Sequence, residues 1–161
     1  MILPLIRPLG EADRPAWLGL RQALWMGSDA TTSAAEAGTL LSDPGRFGAL
    51  KYAVFLALDA GEAVGFVEVS LRDDVHGLGG RAVGYVEGVY VGPRHQGRGL
   101  GRALLDAAAQ WAKSQDATEI ASDVLADNPP SIAFHEHCRF RRIGETGSGA
   151  KRQVLLLRGV S

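Results

Sequence analysis

The chain has 161 residues, 46% hydrophobic and 22% charged, with a net charge of -1 at neutral pH, which suits one domain over residues 1–161 with a sizeable core. The balanced charge leaves no broad footprint for nucleic acid, and no apolar run is long enough to span a bilayer. The single cysteine, Cys138, cannot form an intrachain disulfide, and with four scattered histidines it offers no structural zinc set, so a metal-free cytoplasmic protein is expected.

Ile2–Arg7 reads as a first strand and not a leader, because it lacks a basic opening segment and a small-residue cleavage site and contains proline. From about Glu11 to Trp25, Trp17, Leu20 and Leu24 recur at helical spacing, with Pro15 confined to the first turn. Gly27–Arg46 is poor in bulky side chains and is expected to be mobile. Within it, Ser33-Ala34-Ala35-Glu36 has capping-box spacing and predicts a short second helix ending before Pro44. Tyr52–Leu58 and Ala63–Leu71 predict an antiparallel hairpin about the turn Asp59-Ala60-Gly61-Glu62. Asp73–Arg81, with Gly77, Gly79 and Gly80, reads as a loop.

The stretch Val83–Ala112 organises the rest. An apolar, β-branched and aromatic run through Val91 breaks at Gly92-Pro93, and a helix from about Gly99 to Ser114 follows, with Leu100, Leu104, Ala107, Ala108 and Trp111 as its apolar stripe. Between them, Gln96-Gly97-Arg98-Gly99-Leu100-Gly101 places three glycines at a helix start, where backbone N–H groups approach an anion closely. Arg94, Arg98 and Arg102 add positive charge. No Gly-Lys-Ser/Thr follows, so this is not a phosphate loop of the GxxxxGK(S/T) type. Glu119–Val124 then makes a strand, closing a β-α-β crossover that is expected to be parallel and right-handed. Asn128-Pro129-Pro130-Ser131 opens a short helix through His137. Val154–Leu157 closes the chain as a strand antiparallel to a segment near Arg142–Glu145. The class is α+β, with a mixed, mostly antiparallel sheet and one parallel crossover.

Glu87 lies among apolar strand neighbours, where an unpaired buried carboxylate is costly. It either faces solvent or pairs with an arginine, or it serves as a partly desolvated base for an ammonium substrate. Asp123 ends a strand of the parallel pair, beyond which ligands collect; otherwise it caps a turn. Together the two would form an acidic wall for a cation. Trp25 either packs in the core or offers a flat face to a sugar. His135 and His137 stand two apart on a helix and so face apart, which disfavours a metal pair. Cys138 has no base argued beside it and reads as an inert thiol.

Gln96-x-x-Gly99-x-Gly101, following Val89-Tyr90-Val91, resembles the Q/R-x-x-G-x-G/A signature of the GCN5-related N-acetyltransferases. The resemblance implies that family's acyl-CoA N-acyltransferase fold and acetyl-coenzyme A as cosubstrate, with no metal. It also implies a coenzyme site from Val89, Tyr90, Val91, Gln96, Gly97, Arg98, Gly99, Leu100, Gly101, Arg102 and Asn128. In the same family the last helix often carries N-x6-Y, the tyrosine protonating the departing thiolate. Here Asn128-x6-His135 keeps the spacing with histidine in that place, as an acid or as packing under the coenzyme.

Further strings resemble the aminoglycoside 6′-N-acetyltransferases: Leu20-Arg21-x-x-Leu24-Trp25, Gly65-Phe66, Ser70-x-Arg72-x-Asp74, Glu87-Gly88-Val89, Trp111-Ala112, Ala121-Ser122-Asp123 and Asn128-x-x-Ser131. That resemblance implies acetyl transfer to an antibiotic amine by direct attack in a ternary complex. Glu87 and Asp123 would contact amino groups, Asp74 would add charge, Trp25 would line the pocket, and the protein would be a homodimer. Val75 departs from the pattern, since an aromatic residue is common there. The competing readings are an acetyltransferase for another primary amine, a polyamine or a peptide, and a non-catalytic sensor of acetyl-coenzyme A.

Overall fold

The computed structural model describes residues 5–25, 45–47 and 49–161; the second helix expected from Ser33 lies outside them. In chain order the elements are β1 (Leu5–Pro8), a 3-10 turn (Glu11–Asp13), α1 (Arg14–Leu24), β2 (Arg46–Phe47), β3 (Leu50–Asp59), β4 (Glu62–Arg72), β5 (Val83–Val91) and a second 3-10 turn (Pro93–His95). There follow α2 (Leu100–Ser114), β6 (Glu119–Leu125), α3 (Pro129–His137), β7 (Arg141–Thr146), a third 3-10 turn (Gly149–Lys151) and β8 (Gln153–Gly159). The expected helix of residues 11–25 is therefore shorter and enters through a tight turn. Asp13 causes this: it accepts from the Gly10 N–H at 2.8 Å, while Arg7 donates to both of its carboxylate oxygens at 2.7 and 2.9 Å.

The sheet runs β1-β3-β4-β5-β6-β8-β7, with β2 paired to β3. β5 and β6 are parallel, in register from Gly84↔Ile120 to Val86↔Ser122. β1–β3, β6–β8 and β7–β8 are antiparallel, as the mixed sheet required. Ala60 (φ 52°) and Gly61 (φ 84°) make the β3–β4 turn. Two consecutive positive φ values match the twist of a two-residue hairpin.

The chain divides into two compact units: Met1–Val69 with Glu87–Ala108, and Ser70–Val86 with Ala109–Ser161. β4, β5 and α2 each contribute residues to both. In the first unit, Trp17, Tyr52, Val54, Leu56 and Phe66 form a buried cluster against which Leu20, Leu24, Trp25 and Tyr90 pack. These are the apolar stripe of α1 and the alternating faces of β3 and β4, as the periodicities required. In the second unit, Leu78, Val83, Ala121, Leu155 and Leu157 form the buried cluster, joined by Val75 and Tyr85. Val75 is thus a packing residue. Among the described residues no helix is long and apolar enough to cross a membrane.

Candidate active site

The anion loop belongs to the first unit. Gln96 Nε2 donates to the Val91 carbonyl at 2.9 Å, closing the loop back onto the end of β5. Gly97 and Gly99 then take φ of 80° and 82°, a conformation that costs other L-residues dearly. Leu100 anchors the first turn of α2 in the core at 3% exposure, and the Ala103 N–H donates to the Gly99 carbonyl. The backbone N–H groups of Gly97 through Arg102 donate to no other described residue, so six consecutive donors stand at the positive end of a 15-residue helix. Asp59 steadies the loop from the β3–β4 turn: its Oδ2 lies 3.3 Å from Arg98 Nη1 and 3.5 Å from His95 Nε2. This donor set fits a pyrophosphate. Val89 and Tyr90 are half-buried and Val91 is buried at the end of β5, past the last residue in register with β6.

The same unit holds an acidic and aromatic group. Glu87 is half-buried on β5. Trp25, at the end of α1, meets Phe66 edge-on at 5.9 Å between centroids. It also closes on Gly88, where a Cβ would stand 2.6 Å from Trp25 Cζ2. Trp25 is therefore a packing residue that keeps part of its surface exposed. Beneath it lies a polar network that sequence reasoning missed. The Glu68 carboxylate is fully buried. It accepts from Arg21 Nε (2.7 Å) and Nη2 (3.2 Å), from Tyr52 Oη (2.6 Å) and from Trp17 Nε1 (3.2 Å). Burial, and then the Glu68 charge, push the Tyr52 hydroxyl far above its ordinary value; the Glu87 charge adds to the shift. The signal for Glu68 was available, since one carboxylate inside Val67-Glu68-Val69 poses the same question as Glu87. Arg21, on the buried face of α1, was its answer.

In the second unit, Asp123 is half-buried on β6 and accepts from Gln153 Nε2 at 3.4 Å. Burial holds its carboxyl above the ordinary aspartate range, opposed by the charge of Arg72. Arg72 lies over the Tyr85 ring at 5.3 Å and 4.0 Å from Asp74, whose side chain is 73% exposed. One arginine thus serves both acids that the sequence singled out here. Asn128 caps α3, its Oδ1 accepting from the Ser131 N–H at 3.4 Å.

His135 is buried at 2% exposure, with Phe134 and Phe140 edge-on to its ring. Its Nδ1 is 2.8 Å from the Ser131 carbonyl, which only accepts, so Nδ1 carries the proton. Nε2 then accepts from the Ser122 hydroxyl at 2.9 Å. Burial holds its pKa below the ordinary histidine value despite the Ser131 bond. In the free chain both ring nitrogens of His135 are thus engaged, one with Ser131 and the other with Ser122. Cys138 is buried. Among the described residues no three metal-ligating side chains cluster.

A family model described as Acetyltransferase (GNAT) family matches residues 17–140. An Aminoglycoside N(6')-acetyltransferase type 1 of Stenotrophomonas maltophilia is 42% identical over 139 residues, 85% of this chain and 86% of that protein. Its namesake from Acinetobacter haemolyticus is 37% identical, over 84% and 90%. Among solved structures, AAC(6')-Iy in complex with the bisubstrate analogue CoA-S-monomethyl-acetylneamine matches with a TM-score of 0.82 at 28% identity, over 94% of this chain and 99% of that one.

Proposed function

The chain belongs to the acetyltransferase (GNAT) family, and on that premise we propose that it transfers acetyl from acetyl-coenzyme A to the 6′-amine of an aminoglycoside, inactivating the antibiotic. The observation that carries this reading is a likeness running along nearly the whole chain to proteins named for that reaction. The family match spans both compact units, which supports one catalytic domain over residues 1–161.

In this reading the coenzyme pyrophosphate takes the N–H groups of the loop from Gln96 to Arg102. The backbone of Val89, Tyr90 and Val91 takes the polar groups of the pantetheine arm, and Asn128 keeps the start of α3 in place. The acceptor nitrogen attacks the thioester carbonyl carbon. A C–N bond forms, the C–S bond breaks, and the electron pair leaves on sulfur as thiolate. Glu87, directly or through one water, takes the proton that the ammonium sheds before attack, which is the work of a positioned carboxylate, and the second proton that the nitrogen loses as the amide forms neutralises the thiolate. Asp123 and Asp74 hold ammonium groups, and Trp25 offers a flat wall to a sugar ring. His135 holds the hydroxyl of Ser122, the neighbour of Asp123. We place the protein in the cytoplasm and assign it a homodimeric state, by analogy with the family.

A thiol-release assay tests the reading. Kanamycin or tobramycin, each with a free 6′-amine, should react, and an analogue with a 6′-hydroxyl should not. Release with a polyamine or peptide and with no 6′-amino aminoglycoside would replace the acceptor named above.

A further inference from the structure

The Arg21–Glu68 pair plays no part in the chemistry just described, yet it is the most deeply buried charged pair among the described ion pairs, with side chains 4% and 0% exposed. Such a pair is a poor source of stability, because desolvation offsets much of its attraction. Its geometry shows what else it does. The Arg21 guanidinium carbon stands 5.3 Å from the Trp17 ring centroid and 4.7 Å from that of Trp25, so the flat cation packs against both indoles while its edge donates twice to Glu68. A planar guanidinium holds two directions at once, the stacking normal and the hydrogen-bonding edge, which an ammonium does not. Glu68 fixes the edge, and the edge fixes the plane against which Trp25 lies.

We infer that Arg21, clamped by Glu68, is a positioning residue for the acceptor wall: it sets the orientation of Trp25 and acts on acceptor binding without touching the acceptor. The inference rests on the acceptor reading above, in which Trp25 lines the pocket. One further contact links the same network to that pocket: Trp25 closes against Gly88, the neighbour of Glu87. One buried pair therefore underlies both the flat wall and the strand that carries the proposed base. The coenzyme loop takes no part in the network, so loss of the clamp should leave coenzyme binding intact.

The test is a double-mutant cycle between Arg21→Lys and Trp25→Ala, read as the Michaelis constants for a 6′-amino aminoglycoside and for acetyl-coenzyme A. Arg21→Lys keeps the charge for Glu68 and loses the plane. The acceptor constant should rise on the order of tenfold and the coenzyme constant by less than about twofold, the split expected of a group acting through binding geometry. In the Trp25→Ala background the same substitution should add less than about twofold, because the residue through which it acts is gone. Additive effects, or equal rises in both constants, would overturn the inference. If Arg21→Lys gives no cooperative melt, Arg21→Met combined with Glu68→Gln, which removes both charges together, carries the same cycle and the same criteria. Wild-type turnover of the aminoglycoside separates the two claims. Its absence overturns the acceptor reading and this inference with it, whereas wild-type turnover with an additive cycle overturns the role of Arg21 alone.

Discussion

Gly99→Val is the sharpest perturbation of the coenzyme loop. Gly99 has φ of 82°, and a Cβ built there meets nothing within 4 Å, so in the free chain the first effect of the substitution is conformational. A non-glycine residue in the left-handed region costs about 1–2 kcal/mol, with β-branched side chains at the upper end. In the free protein the exposed loop escapes this cost by relaxing out of shape. Binding then has to restore the shape, so the cost appears in the coenzyme affinity, where 1.4 kcal/mol is tenfold. The expected outcome is a dissociation constant for coenzyme A raised about 5- to 30-fold by titration calorimetry, with the acceptor Michaelis constant nearly unchanged. Gly149→Val is the control, because Gly149 also has positive φ (59°) and an open Cβ position but lies in the turn between β7 and β8. It should leave the coenzyme affinity unchanged. Wild-type affinity in a folded Gly99→Val protein would refute the claim that this loop shape is what binds the pyrophosphate.

Glu87→Gln keeps the shape and removes the base, and should lower the turnover number on the order of 10²-fold in steady-state assays. Asp123→Asn should raise the acceptor Michaelis constant and spare that of the coenzyme. Because burial raises the Asp123 pKa in the folded state, this carboxyl favours folding only while protonated, and that contribution is lost as pH rises through the raised value. The Asn variant should therefore melt higher than wild type at pH 7, with the gain vanishing below the ordinary aspartate pKa. His135 has the opposite sign: its depressed pKa gives stability present above the ordinary histidine value and lost as pH falls through the depressed one. Ser122→Ala should cost about 1–3 kcal/mol in denaturant titration by leaving Nε2 without its donor. The acceptor Michaelis constant should rise with ionic strength, since a polycation is drawn to carboxylates through screened attraction.

Much of this was legible in the sequence because local rules and tertiary structure agree. The β5-loop-α2 segment announces itself through glycine spacing, and the structure sets Gly97 and Gly99 at the positive φ that such a loop demands. The α1 stripe foretold Trp17 in the core. What sequence reasoning missed depends on pairing across long separations. Arg21 and Glu68 are 47 residues apart, and neither shows from its neighbours alone that the other will bury it. The Nδ1-protonated form of His135 follows from the Ser131 carbonyl at one nitrogen and the Ser122 hydroxyl at the other. Spacing from Asn128 described where His135 sits on its helix and was silent about which way the ring donates.

The strand order β6-β8-β7 also bears on how the protein is born. β8 is made after both of the strands it separates, and each of them pairs with it along nearly its full length. On the ribosome, where chains emerge at roughly 5–20 residues per second, β6 and β7 wait until residues 153–159 arrive. During that wait β6 keeps its parallel contact with β5 on one side and an unsatisfied edge on the other. Until β8 arrives, that edge, with Ile120 and Val124 set among Glu119, Ser122 and Asp123, is a strand edge without its partner.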